Sequence, residues 1–251
     1  MSDISEQFQA LFNLYQATLP LQLSPEMVRY LGELYQGICE GNQRLNLTRI
    51  TTPEDFWEKH LWDSFVPFDL ERYAIGSQAT QPIKLIDIGT GGGFPGLPLA
   101  IAFPEWQITL LDSTRKKINF LLELSETLKL KTIGIADRAE ALGQQPKYRE
   151  QYDIATIRAV AKAAICVEYA LPLLKVGGLA ILYRGQWSPE ETAQLLPAIA
   201  QCGGELEHLE SITTPITQSQ RTCLYLRKIE PCDLYLPRAI GIPKQDPLAP
   251  V

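Results

Sequence analysis

Leu85-Ile86-Asp87-Ile88-Gly89-Thr90-Gly91-Gly92-Gly93-Phe94-Pro95-Gly96 reads as a buried strand running into a glycine turn, with a carboxylate at the strand's end. Glycine lets backbone approach a ligand closely and takes positive φ where a side chain would clash. Gly91, Gly93 and Gly96 fit the dinucleotide pattern G-x-G-x-x-G, whereas Gly89, Gly91 and Gly93 fit the tighter G-x-G-x-G pattern of S-adenosylmethionine (SAM) sites. Spacing alone does not choose between them. Asp87 favours SAM, because a carboxylate just before the first glycine suits a sulfonium and an ammonium and repels a pyrophosphate on the same loop.

From Ile83 onward, short apolar runs alternate with helical patterns, the sequence form of a parallel sheet covered on both faces. Strands are expected at Ile83 to Ile88, Gln107 to Leu111, Thr132 to Ala136, Asp153 to Ile157, Leu179 to Tyr183, Glu205 to Ser211 and Thr222 to Lys228. Helices are expected around Pro95 to Phe103, Thr114 to Leu128, Lys162 to Leu174 and Glu190 to Gln201. The last two strands, parted only by Thr213 to Gln218, read as an antiparallel pair. A seven-stranded α/β sheet, parallel with an antiparallel terminal hairpin, resembles the Rossmann-like SAM-dependent methyltransferase fold.

Upstream, Phe8, Leu11, Phe12, Leu14 and Tyr15 recur near helical spacing, and Ser24-Pro25 opens a second stripe through Met27, Val28, Leu31, Leu34, Tyr35 and Ile38 that runs to Gly41. Three segments follow: a helical N-terminal extension over 1–76, a SAM-binding domain over 77–230 entered through the polar link Gly76 to Pro82, and a proline-bearing tail over 231–251 expected to lie along the surface.

With 251 residues, 45% of them hydrophobic, the chain can bury a full core. No apolar run approaches the ~20 residues of a membrane span, and Met1 to Pro20 lacks the basic start and apolar centre of a signal peptide, so a cytoplasmic location is expected. Five cysteines with no C-x-x-C pair suggest reduced thiols, and the two histidines, His60 and His208, are too few and too far apart for a zinc site. The net charge of −6 argues mildly against nucleic acid, although it says little about a local basic rim.

Asp112 ends the second strand, where such folds place an acid that accepts both ribose hydroxyls. It can equally cap the helix that follows, with Ser113. Phe94 flanks the ligand or plugs the core, and Pro95 gives the helix a rigid start. Asp137-Arg138-Ala139-Glu140 leaves the carboxyl edge of the sheet after the third strand, where backbone amides can meet an adenine edge or form a solvated turn. Arg158 follows the fourth strand and can clamp a carboxylate or a phosphate. No [N/D]-P-P-[F/Y] motif, typical of exocyclic-amine methylation, follows that strand, and Cys166 lies too deep in the next helix to be a pyrimidine nucleophile. A ring nitrogen of guanine carries a lone pair and needs no base, so it stays open as the acceptor.

Asn46-Leu47-Thr48, His60-Leu61-Trp62-Asp63-Ser64, Asp87 to Gly96 and Arg158-Ala159 occur in the order found in the bacterial 16S ribosomal RNA guanine-N7 methyltransferase family, also called glucose-inhibited division protein B. The likeness spans most of residues 25–229, and Pro237-Arg238-Ala239-Ile240-Gly241-Ile242-Pro243 is similar to that family's P-R-x-x-G-x-P ending. The resemblance implies methylation of N7 of guanine 527 in 16S RNA, with SAM as cofactor and the small ribosomal subunit as partner. It implies cofactor contacts at Gly89, Phe94, Asp112, Ser113, Thr114, Ala139, Glu140 and Arg158; the glycine turn itself adds Asp87 and Gly91, Arg158 and Asn46 are the expected positioning residues, and neither a general base nor a metal is expected. Arg44, Arg49, Lys116, Lys117, Arg158 and Arg184 are the expected grip on RNA phosphates, and a monomer is expected. His60 and Asp63 are expected to pair and brace the extension against the sheet. The chain departs from the family's usual serine at Ile157 and from a Leu-Lys-Gly strand end at Tyr183-Arg184-Gly185. A nicotinamide-dependent reductase and a SAM-binding RNA module without turnover are the competing readings.

Overall fold

Leu85, Ile108, Ile154 and Ile181 lie in one hydrophobic core, and Ile86, Leu111, Ala155 and Leu182 lie in another, so successive residues of each strand serve opposite faces of one sheet. The computed structural model describes residues 2–75 and 82–250; residues 76–81 of the expected polar link lie outside it. Three helical elements come first: α1 (Ser2–Tyr15), α2 (Pro25–Leu45) and a rod over 53–65, here α3, that is α-helical over Pro53–Phe56 and Asp63–Phe65 but π-wound over Trp57–Trp62. Then follow β1 (Lys84–Ile88), α4 (Gly96–Ala102), β2 (Gln107–Asp112), α5 (Arg115–Thr127), β3 (Thr132–Ala136), α6 (Ala139–Gly143), β4 (Tyr152–Arg158) and α7 (Ala163–Ala170). The fold closes with β5 (Leu174–Arg184), α8 (Pro189–Gln201), β6 (Gly204–Thr213), β7 (Gln220–Lys228) and the short α9 (Ile242–Gln245).

The strand order is β3-β2-β1-β4-β5-β7-β6, with β7 antiparallel to both β5 and β6 and the remaining pairs parallel. From β1 the chain winds outward through β2 and β3, then returns to start β4 on the other side of β1. Strand order reverses between β1 and β4, and the crevice at their carboxyl ends is where open α/β sheets bind ligands. Phe8, Tyr35, Trp57 and Phe65 from the N-terminal helices share the core of Leu85 and Ile108, so the extension is packed onto the sheet. Ser24 caps α2 by accepting Met27 N–H, with Pro25 at the first helical position as the sequence predicts.

All seven expected strands are present. Two differences have physical causes. The segment after α7 becomes strand β5 at Leu174, where the sequence reading kept a helix to Leu174 and began the strand at Leu179. Residues 137–143 contain the helix α6, too short to leave a periodic signature. The tail runs along the surface but is fastened there: Leu236 is fully buried, and Arg149 donates to the carbonyls of Cys232, Asp233 and Leu236. Arg238 also forms a two-pronged pair with Glu168, which is itself inaccessible to solvent.

Candidate active site

The glycine turn is built around Asp87, but this carboxylate does not face the crevice. It is 1% exposed and accepts from Thr90 Oγ1 (2.6 Å), Gly96 N (2.9 Å) and Thr156 Oγ1 (3.0 Å). Asp87 thus ties the turn, the start of α4 and the centre of β4 together from behind, and burial raises its pKa against those hydrogen bonds. Gly89 (φ +69°) and Gly91 (φ +58°) take left-handed backbone, and a Cβ on Gly89 would stand 2.4 Å from Val160 Cγ2. Only glycine leaves that edge of the crevice open.

Three adjoining chambers run along the edge. The first, about 90 Å3, is lined by Gly89, Asp112, Ser113, Asp137, Arg138, Ala139, Glu140, Val160, Tyr169 and Lys244. Asp112 accepts from Gly91 N (3.1 Å) and Thr114 N (2.8 Å), leaving a lone pair on each oxygen for a ligand. The helix cap is Thr114 rather than Asp112, and Thr114 itself is exposed and off the wall. Glu140 is 1% exposed and accepts from Arg138 (2.8 Å), Tyr169 Oη (2.9 Å) and Gly241 N (3.2 Å). Burial pushes its pKa up, yet Arg138 and the other donors outweigh it, so the group is held below the usual range. The tail therefore completes this chamber, through Gly241 behind it and Lys244 on its wall.

The second chamber, about 380 Å3, is lined by Gly89, Gly91, Phe94, Asp112, Ser113, Lys117, His60, Arg158 and neighbouring backbone. Arg158 ends β4 and donates to Lys59 O (2.9 Å) and to His60 Nδ1 (3.1 Å). Because a guanidinium only donates, His60 must be neutral with its proton on Nε2, which faces Thr48 Oγ1 at 2.8 Å. Burial first, and then the Arg158 charge, push the His60 pKa down to about 3. The imidazole also stacks on Phe94, with centroids 4.2 Å apart and planes 3° from parallel. His60 and Asp63 do not pair with each other as expected; each meets Arg158 separately, Asp63 at 3.8 Å. The π-wound turn of α3 sets both on the same cation.

The third chamber, about 500 Å3, shares His60, Arg158 and Ala159 with the second and adds Lys59, Asp63, Arg184 and Arg221. Arg221 Nε bridges both Asp63 oxygens, at 3.0 and 3.2 Å. Burial raises the Asp63 pKa, opposed by Arg221 and Arg158.

Of the expected RNA-gripping cations, Lys117 and Arg184 line the crevice, whereas Lys116 and Arg49 are exposed off its walls. Arg44 lies on a separate groove between α2 and α5. Asn46 is exposed and closes α2 in left-handed backbone (φ +48°), a conformation asparagine tolerates; it touches no chamber wall. Lys59, Arg221 and Lys244 were not foreseen. Arg221 had a usable signal, since the first residues of an antiparallel β7 must lie at the carboxyl ends of the parallel strands. Among the described residues, no group of three His, Cys, Asp or Glu side chains is placed to hold a metal, and no helix is long and apolar enough to cross a membrane.

Comparison with known proteins agrees with this architecture. The chain is similar to the ribosomal RNA small subunit methyltransferase G of Trichormus variabilis, with 50% identity over 94% of this chain and 96% of that one. It is 48% identical to the protein of the same name from Trichodesmium erythraeum, over 94% of this chain and 92% of the relative. Among solved structures, the 16S rRNA (adenine(1408)-N(1))-methyltransferase from Catenulisporales acidiphilia superposes with a TM-score of 0.51 and 14% identity, over 65% of this chain and 95% of that one, a likeness of fold alone. Residues 27–222 match the family described as GidB, rRNA small subunit methyltransferase G. The chain, sheet and glycine turn together, belongs to that family.

Proposed function

We propose that the protein methylates N7 of guanine 527 in 16S ribosomal RNA of the small ribosomal subunit, using SAM, and acts as a monomer in the cytoplasm. The observation that carries this reading is the crevice itself: a small end that offers the free lone pairs of Asp112 joins a wider chamber, which opens onto a basic one. The residues fit the cofactor. Asp112 retains acceptor capacity for two ribose hydroxyls, the apolar walls Ile88, Leu111, Ala139 and Val160 suit a flat base, and the Gly89 turn admits close approach. When bound, SAM supplies a methyl group on a positively charged sulfur.

The protein's part is alignment. Arg158 stays charged despite burial, because guanidinium deprotonation lies far from neutral pH, and it stands where the methionine carboxylate of the cofactor would enter the second chamber. His60, neutral and stacked on Phe94, keeps a second positive charge away from a reaction that develops cationic charge on guanine. Guanine N7 has no proton to lose, so no general base is assigned. Lys117 and Arg184 serve as phosphate contacts, and Glu140 fixes the nucleoside end from beneath. In this reading 1–76 shapes the RNA side, 77–230 holds the cofactor and 231–251 closes the nucleoside end. Transfer of labelled methyl from SAM to isolated small subunits, with the modified nucleotide mapped by chemical cleavage, tests it. Label at any other atom or on protein alone would overturn the assignment.

A further inference from the structure

The third chamber contains a feature that phosphate contacts do not explain. Its wall holds Lys59, Arg158, Arg184 and Arg221, yet also one carboxylate, Asp63, the only acid among the lining residues. A site for phosphate alone gains nothing from an anion on its wall, since like charges repel. A ligand that offers both negative charge and neighbouring hydrogen-bond donors accounts for both signs. Guanine nucleotides are such ligands: N1–H and the N2 amino group sit side by side on one edge, and a carboxylate accepts from both. Adenine presents a lone pair at N1 and would be repelled.

We propose that this chamber receives the acceptor guanine, swung out of the RNA, and that Asp63 reads its N1–H and N2 amino group. The proposal rests on the function argued above and adds a specificity-determining residue to it. Asp63 has the capacity: Arg221 approaches through a single nitrogen shared by both oxygens, and Arg158 stands at 3.8 Å, beyond hydrogen-bond reach. With that edge on Asp63, the N7 edge points the other way and is free to face the second chamber, with which this one shares His60, Arg158 and Ala159. Ile50, Val66 and Tyr183 provide apolar surface for the base.

Arg184 is fixed on the same wall by its Nη1 bond to Ala161 O at 2.7 Å. Taking a base out of its stack is the usual route to chemistry on it.

The test uses the full protein with small subunits reconstituted from 16S RNA carrying either guanine or inosine at the target position; inosine keeps N7 and N1–H but lacks the N2 amino group. Wild type should methylate inosine with a kcat/KM lower by roughly 10- to 100-fold. Asp63→Asn should be slower on guanine but bring the guanine-to-inosine ratio close to one, with SAM affinity by calorimetry unchanged. A merely structural Asp63 would depress both substrates equally and preserve the wild-type ratio, which overturns the proposal. So does a wild-type ratio near one, an outcome that needs no variant. Failure of wild type to methylate the guanine particle at all would instead refute the functional reading on which the proposal stands.

Discussion

Asp112 is the residue on which cofactor affinity should depend most directly. Asp112→Ala removes both the acceptor for ribose and the bonds that order Gly91 and Thr114, so the SAM dissociation constant should rise roughly 10- to 100-fold in a protein that still folds. Calorimetry reads this; unchanged affinity would reduce Asp112 to a turn-former. His60 makes a prediction about pH. Its folded pKa, about 3, lies below the ordinary value of 6.5, so the unfolded chain binds the extra proton first as pH falls. The contribution is complete above about pH 6.5 and is lost progressively down to about pH 3, at up to about 1.4 kcal/mol per pH unit. Asp63 and Asp87, raised by burial, pull the other way, so the difference between His60→Gln and wild type carries the test. Urea melts at pH 7 and pH 4.5 should show a shallower acid loss in the variant, and parallel curves would mean that His60 already carries a proton. Asp112 was legible in the sequence because it ends a strand beside a glycine turn. The Arg158–His60 contact was not, since 98 positions separate the partners and no local pattern records a contact at that range.

Among the elements, the tail takes more of its hydrogen bonds from Arg149 than from Gln144, which gives one. Arg149 serves the carbonyls of Gly143, Leu236, Cys232 and Asp233, and Arg149→Ala should lower stability by about 2 kcal/mol while exposing residues after 231 to proteolysis first. Equal protection of the tail in both proteins would show that Leu236 and Arg238 suffice. The strands were readable because alternating apolar side chains feed two cores, and the hairpin β6–β7 because its turn is short. The rod over 53–65 escaped notice for a definite reason: Phe56, Trp57, Leu61, Trp62 and Phe65 are all buried, which leaves no amphipathic stripe, and the π-wound stretch displaces the helical period. The tail escaped because hydrogen bonds to carbonyls carry no periodicity.

For the whole molecule, the net charge of −6 conceals a crevice mouth where Lys59, Lys117, Arg184 and Arg221 gather. RNA affinity should therefore fall steeply with salt, and Lys117→Ala should reduce the log–log slope by roughly 1. An unaltered slope would put Lys117 off the RNA path. Deleting residues after Ala239 removes Gly241 from Glu140 and Lys244 from the first chamber, so SAM binding should weaken by roughly 10-fold or more while the sheet stays folded by circular dichroism. Retained affinity would make the tail a mere buttress. The anchors of this tail, Gln144, Arg149 and Glu168, all precede it in the chain, as does every other wall of the nucleoside end. Of the residues that build this end, Gly241 and Lys244 are therefore the last to be translated. A chain interrupted before them would carry a cofactor cleft lacking one wall.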